Sequence, residues 1–121
     1  MSKKKLLVID DSVTVLSMLK EVFKEEGYNV ILSETGEDGV KKTKKENPDI
    51  VIIDTLLPGI DGFEVCIKIK ELKQEKQPKI VMMTGAIDAI DAVKARKSGA
   101  DEYCAKTCDF EPLIEAVKRL A

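Results

Sequence analysis

Histidine and tryptophan are absent from the 121-residue chain, and cysteine occurs only three times. Without histidine, the C-x3-C spacing of Cys104 and Cys108 is a weak metal or redox signal, and Cys104 reads as a small buried filler. Cys66 has no visible partner. An odd cysteine count in a chain long enough to bury a sizeable core gives no sign of a disulfide scaffold, and a reducing cytoplasm fits best. Long apolar runs are missing too: the longest uncharged stretches, Ser12–Leu19 and Ile80–Ile87, hold eight residues each. A membrane span needs about 20, so none is expected. The start, Met1-Ser2-Lys3-Lys4-Lys5, leads to a short apolar run ended by aspartates, which is no secretory signal. Neither sign of charge dominates: 20 basic against 22 acidic residues leave a net charge of −2, which argues against general binding to nucleic acid or anionic membrane. The basic stretch Lys41–Lys45 lacks interleaved aromatics and reads as a solvated helix face. Walker and dinucleotide glycine motifs, repeats, low-complexity segments and linkers are all absent. One domain over residues 1–121 is expected, with no DNA-binding or catalytic domain after Ala121, either free-standing or cut from a longer protein.

What is present alternates. Five short runs rich in branched residues read as strands: Leu6–Ile9, Val30–Leu32, Ile50–Ile53, Ile80–Met83 and the weaker Glu102–Ala105. The first, third and fourth are apolar without alternation, as in parallel strands covered on both faces. Helical periods lie between them. Val15, Leu16, Leu19, Val22 and Phe23 form one stripe, closed near Gly27. Thr35 and Asp38 make an N-cap pair for a second helix that Asn47-Pro48 stops. A third is expected from about Asp61 to Lys73, with Val65, Ile69 and Leu72 at helical spacing. The fourth spans Ala86–Ser98 with Ile90 and Val93 inward, before Gly99. The fifth follows Asp109, with Phe110, Leu113, Ile114, Val117 and Leu120 on its apolar face and Pro112 tolerated in the first turn. The expected fold is therefore α/β, a (βα)5 doubly wound sandwich on a five-stranded parallel sheet. The flavodoxin-like strand order 2-1-3-4-5, taken from that fold class, places ligands beyond the carboxyl ends of the strands.

At those ends stand Asp10-Asp11, Asp54, Thr84 and Lys106. In that order the first and third strands are neighbours, so three carboxylates converge in one shallow cleft. Clustered carboxylates repel one another unless a cation sits among them, and oxygen-only ligands on an open rim suit Mg2+. Three carboxylates against Mg2+ and Lys106 sum to zero. One phosphorylated carboxylate changes that to about −1, taking a phosphoryl as about −2. The cleft can hold a transferred phosphoryl group only with both metal and lysine in place. Asp is the nucleophile type for such transfer, and the Thr84 hydroxyl is suited to donate to a phosphoryl oxygen.

Asp10-Asp11 after the first strand, Asp54 followed by Leu57-Pro58 and Gly62, Thr84-Gly85 after the fourth strand and Lys106 on the fifth resemble the receiver domain of two-component response regulators. The resemblance covers essentially the whole chain. It implies Asp54 as phosphoacceptor, with Mg2+ (or Mn2+) held by Asp10, Asp11, Asp54 and the backbone carbonyl of Leu56. It also implies phosphoryl contacts from Thr84 and Lys106, and a switch pair of Thr84 and Tyr103. Tyr103 lies three residues before Lys106, so it is expected on the opposite sheet face. The resemblance further implies a signalling switch rather than an enzyme, capable at most of Mg2+-dependent self-phosphorylation and slow autodephosphorylation. Its partners would be a sensor histidine kinase or histidine phosphotransfer protein, and an output protein or domain met by the fourth helix, fifth strand and fifth helix.

Two departures from the family pattern stand out. Thr107 replaces the usual proline after the lysine; a cis bond without proline costs about 2.5–4 kcal/mol, so a trans bond is expected. Leu56 and Ala86 occupy positions that tune dephosphorylation in the family, and neither can orient an attacking water. Among rival readings, a haloacid-dehalogenase-like phosphohydrolase wants Asp-x-Asp at its nucleophile, whereas Thr55-Leu56 follow Asp54. A flavodoxin-like cofactor binder wants a small or hydroxyl-rich first turn, where Asp10-Asp11 would repel phosphate. The blandest alternative leaves Asp11-Ser12 as a helix cap and Lys106 as a surface lysine.

Overall fold

A computed structural model describes residues 3–72 and 74–121. The elements are β1 (Lys5–Ile9), α1 (Val13–Glu25), β2 (Asn29–Ser33), α2 (Gly36–Glu46) and β3 (Ile50–Asp54), then α3 (Gly62–Glu71), β4 (Lys79–Thr84), α4 (Ala89–Ser98), β5 (Glu102–Ala105) and α5 (Glu111–Leu120). All sheet pairings are parallel, in the order β2-β1-β3-β4-β5. The expected fold and strand order are both borne out.

The unbroken apolar strands have a direct explanation. Leu6, Val8, Ile50, Ile52, Val81 and Met83 face one core, shared with Leu16, Leu19 and Phe23 of α1 and Leu113 and Val117 of α5. The alternate residues Leu7, Ile9, Val51, Ile53, Ile80 and Met82 face a second core with Val65 and Ile69 of α3 and Ala95 of α4. Neither face of the central strands meets water, so neither can be polar. Burying one such aliphatic side chain contributes roughly 1.5–3 kcal/mol.

The helices start where short polar side chains can cap them. Ser12, Thr35, Asp61 and Asp88 each accept a hydrogen bond from a first-turn N–H of α1, α2, α3 and α4. Gly27 (φ +95°) and Asn47 (φ 53°) take left-handed conformations just after α1 and α2. The α5 start has no side-chain cap.

Three expectations need correction. The fourth helix starts at Ala89, not Ala86, because Asp88 is its cap and the residues before it form a loop. Ile90 and Val93 are not inward but 77% and 54% exposed; α4 buries Ala95 and Ser98 instead. Phe110 is buried but lies outside the α5 face, as a left-handed N-cap residue. The third helix ends at Glu71, with Leu72 capping it; the expected end, Lys73, lies outside the described residues.

Cys66 and Cys104 are buried and Cys108 is exposed. Burial pushes both buried thiols from an ordinary value near 9 up to about 11. A thiol whose proton is held more tightly in the folded chain contributes stability that is complete below pH 9 and is lost as the pH rises from 9 to 11. In native protein at neutral pH, only Cys108 is expected to react rapidly with an aromatic disulfide reagent, and all three in urea. Rapid native titration of more than one thiol would contradict this packing.

Candidate functional site

The carboxyl ends of β1, β3, β4 and β5 meet at one end of the sheet. The Asp10 N–H donates to the Ser33 carbonyl (3.1 Å), which fixes the chain leaving β1 against the end of β2. Asp54 is the last residue of β3, and the Thr55 N–H donates to the Met83 carbonyl (3.0 Å) on β4. The Lys106 N–H donates to the Thr84 carbonyl (2.7 Å), extending the β4–β5 pairing by one step. Backbone pairing thus delivers Asp10, Asp54 and Lys106 to one cleft.

Side chains complete it. The Lys106 ammonium donates to Asp10 Oδ2 at 2.7 Å and to Asp54 Oδ2 at 3.1 Å. The Ser12 N–H, at the start of α1, donates to Asp10 Oδ1 (2.8 Å), and the Leu56 N–H donates to Asp54 Oδ1 (3.2 Å). Asp10 and Asp54 are buried, whereas Asp11 is exposed. Ser12 serves twice, as helix cap through its hydroxyl and as Asp10 clamp through its N–H; only the cap was foreseeable from residue type.

The electrostatics follow from burial. Desolvation and the neighbouring Asp10 charge raise the Asp54 pKa above the ordinary carboxylate value, and Lys106 offsets only part of this. Burial pulls on Lys106 in the opposite sense, but the Asp10 hydrogen bond and the charges of both aspartates hold its pKa above the ordinary lysine value. The ammonium is therefore charged at neutral pH. Three carboxylates against one ammonium leave two negative charges without a counter-charge.

A divalent cation fits that deficit. One carboxylate oxygen from each of Asp10, Asp11 and Asp54 lies within 4.8 Å of the others. Ligands of Mg2+ at about 2.0–2.1 Å stand about 2.9 Å apart when adjacent and about 4.1 Å when opposite, so the three oxygens coordinate only by closing inward around the ion. The donor set is all oxygen, and exposed Asp11 leaves one side open for the waters Mg2+ keeps.

Thr84 and Tyr103 stand apart from this cluster. The Thr84 hydroxyl is buried, donates to the Ala86 carbonyl (3.1 Å) and accepts from the Ala86 N–H (3.3 Å). The Tyr103 hydroxyl accepts from the Asp88 N–H (3.3 Å). Both side chains therefore bond to one loop, residues 85–88, which leads into α4. Tyr103 packs with the α3–α4 core while Cys104 packs with the α1–α5 core, so Tyr103 and Lys106 fall on opposite faces as the strand period requires. No described peptide bond is cis, so Lys106–Thr107 is trans, and the ammonium still reaches both aspartates.

Residues 6–118 match the response regulator receiver domain family. The chain belongs to that family. It is 38% identical over 118 residues to the alkaline phosphatase synthesis transcriptional regulatory protein PhoP of Bacillus subtilis (strain 168), covering 97% of this chain and 48% of that protein. The chain thus spans about half the length of the curated relative it matches. Among solved structures, the response regulator protein TrrA of Thermotoga maritima, in complex with Mg2+-BeF, is 38% identical with a TM-score of 0.85 (98% of this chain, 99% of that one). The chemotaxis protein CheY4 of Vibrio cholerae is 25% identical with a TM-score of 0.92 (99% and 100%).

As a receiver domain the chain is a signalling module of two-component systems, in a family where phosphorylation and Mg2+ binding are typical. The phosphohydrolase reading finds no support in these likenesses. Among the described residues no helix is long and apolar enough to cross a membrane.

Glycine at position 62 has a physical reason. A Cβ there would stand 2.2 Å from the Asp54 carbonyl oxygen, so only glycine lets the start of α3 close on the end of β3. Gly62→Ala must therefore displace the strand end that carries Asp54. It is expected to cost about 1–3 kcal/mol of stability by urea unfolding and to weaken Mg2+ binding in step. Unchanged values of both would contradict the close approach.

Proposed function

We propose that this chain, as one domain over residues 1–121, is a phosphoacceptor switch. The Asp54 carboxylate takes a phosphoryl group from a histidine kinase or histidine phosphotransfer protein. An Asp54 oxygen attacks phosphorus, a P–O bond forms as the donor P–N bond breaks, and the freed imidazole takes a proton from water. Asp10, Asp11, Asp54 and the Leu56 carbonyl are assigned to Mg2+, which when bound would neutralise charge on the phosphoryl oxygens. Lys106 holds a second positive charge against the same oxygens. The observation that carries this reading is the Lys106 ammonium shared between Asp10 and Asp54 inside a cluster that still lacks two positive charges.

The surroundings support a protein as donor. Val13 at the start of α1, Leu56 on the β3–α3 connection and Ile87 on the β4–α4 connection are 64%, 77% and 60% exposed, an apolar rim around an acidic cleft. Once Asp54 carries phosphoryl oxygens, Thr84 has a new acceptor for the hydroxyl proton now given to Ala86. Loss of that bond would release the 85–88 loop and with it the Tyr103–Asp88 contact, altering the α4-β5-α5 face for an output partner. We assign the switch to the cytoplasm.

The test is incubation with acetyl phosphate and Mg2+, followed by intact-mass and peptide mass spectrometry. A single phosphoryl increment, stable in acid and labile in base, is expected on Asp54. An increment on serine or threonine, or none at all, would refute the assignment.

A further inference from the structure

The helix that contradicts its own sequence pattern points to a second surface. Helix α4 turns only Ala95 and Ser98 to the core and leaves Ile90 and Val93 in water. Across from them Ile67 of α3 is 41% exposed, and buried Phe63 lines the space between, with the Lys94 ammonium 4.5 Å over its ring. These side chains line a groove of about 780 Å³ between α3 and α4. Its two walls differ in charge: α4 contributes Lys94 and Lys97, and the start of α3 contributes Asp61 and Glu64.

We propose that the α3–α4 groove docks an amphipathic helix of a partner protein, with a hydrophobic ridge, an acidic flank facing Lys94 and Lys97 and a basic flank facing Asp61 and Glu64. Two branched side chains held in water on one helix, opposite a third on its neighbour, form an apolar strip that self-packing leaves uncovered. The span from Ile90 to Lys97 is about 10 Å at the helical rise, so the groove accepts about two turns of a partner, with anchors at i, i+3 or i+4, and i+7. The opposed walls make the site directional: an acidic–basic helix gains at both rims in one orientation and loses at both in the other. This site is independent of phosphoryl transfer to Asp54; it shares α4 with the α4-β5-α5 face and adds the α3 wall, which that face lacks.

The probe is a labelled model peptide of about 18 residues, long enough to be helical, with leucine at the anchor positions, glutamate along one flank and lysine along the other. Binding to the unphosphorylated chain is followed by fluorescence anisotropy, and the location by amide NMR shifts. Saturable binding is expected, with shifts centred on α3 and α4. Ile90→Ser with Val93→Ser, both at exposed positions, is expected to weaken it about tenfold. Lys94→Glu with Lys97→Glu makes both walls acidic, and is expected to reverse the preference in favour of a peptide with lysine on both flanks. Thermal melts of each variant check the fold.

Three results would overturn the proposal: no saturable binding, shifts centred elsewhere, or full affinity in the Ile90→Ser/Val93→Ser variant. A fourth is sedimentation as a dimer that this variant dissolves, which would assign the groove to a second copy of the chain. The peptide assay needs no phosphoryl group, so its failure and failure to label Asp54 are separate results.

Discussion

Asp54→Asn is expected to abolish phosphoryl uptake from acetyl phosphate and, with Mg2+ chelated, to make the domain more resistant to urea. The first effect is chemical: the amide offers no anionic nucleophile, and the Lys106-bound oxygen that would attack phosphorus becomes a neutral dipole. The second follows from the sign of the Asp54 shift. Burial and the Asp10 charge raise its pKa, so the folded chain holds this proton more tightly than the unfolded one. Stability associated with Asp54 is then lost as the pH rises above the ordinary carboxylate value, and at pH 7 its charge works against folding. Asparagine keeps the shape and removes the charge, while Lys106 retains Asp10 at 2.7 Å. A gain on the order of 1 kcal/mol is expected by urea titration, shrinking or reversing in millimolar Mg2+ because the variant loses a ligand. A persistent phosphoryl adduct would remove Asp54 from the mechanism; a less stable variant in chelator would show that the Lys106 contact outweighs the acidic repulsion.

The residues that were legible in the sequence are those whose role depends on chain order. Leu6–Ile9 and Ile50–Ile53 carry no polar residue because both sheet faces are covered, and that pattern is linear. Asp10, Asp54 and Lys106 sit one step beyond or at the end of such strands, so a doubly wound sheet brings them together. Helix α4 departs from its sequence pattern because amphipathicity identifies an apolar stripe without saying what covers it. Ile90 and Val93 have the spacing of a core face, yet the sheet behind α4 is filled by Ala95 and the α3 residues. The Ser12 N–H on Asp10 and the Thr84 bonds to Ala86 involve backbone atoms, which carry no residue-specific signal. The left-handed Phe110 was hidden for another reason: its apolar side chain is buried either way, and only the backbone angle separates cap from helix face.

The lifetime of the phosphorylated form is the second large effect, and it turns on two side chains that make no hydrogen bond. Leu56 and Ala86 are exposed and flank the cleft through their backbones, one through its N–H on Asp54 Oδ1 and the other through the Thr84 hydroxyl. Hydrolysis of an aspartyl phosphate requires water to approach phosphorus opposite the Asp54 oxygen, with some group to orient it and accept its proton. Leucine and alanine can do neither, and the rim of Val13, Leu56 and Ile87 is itself apolar. The native chain is therefore expected to lose its phosphoryl group slowly once the donor is removed. Leu56→Asn with Ala86→Glu adds an amide and a carboxylate at exposed positions, where neither disturbs the core. A positioned acid–base group contributes about 10²–10⁴-fold in rate, and partial alignment in an open cleft argues for about 10–10²-fold faster decay. Measured by the return of the unmodified mass after donor removal, equal decay in native and double-variant protein would mean that water reaches phosphorus by a path these two side chains do not control. Faster decay with Leu56→Asn alone, and none with Ala86→Glu, would place that path on the β3–α3 side.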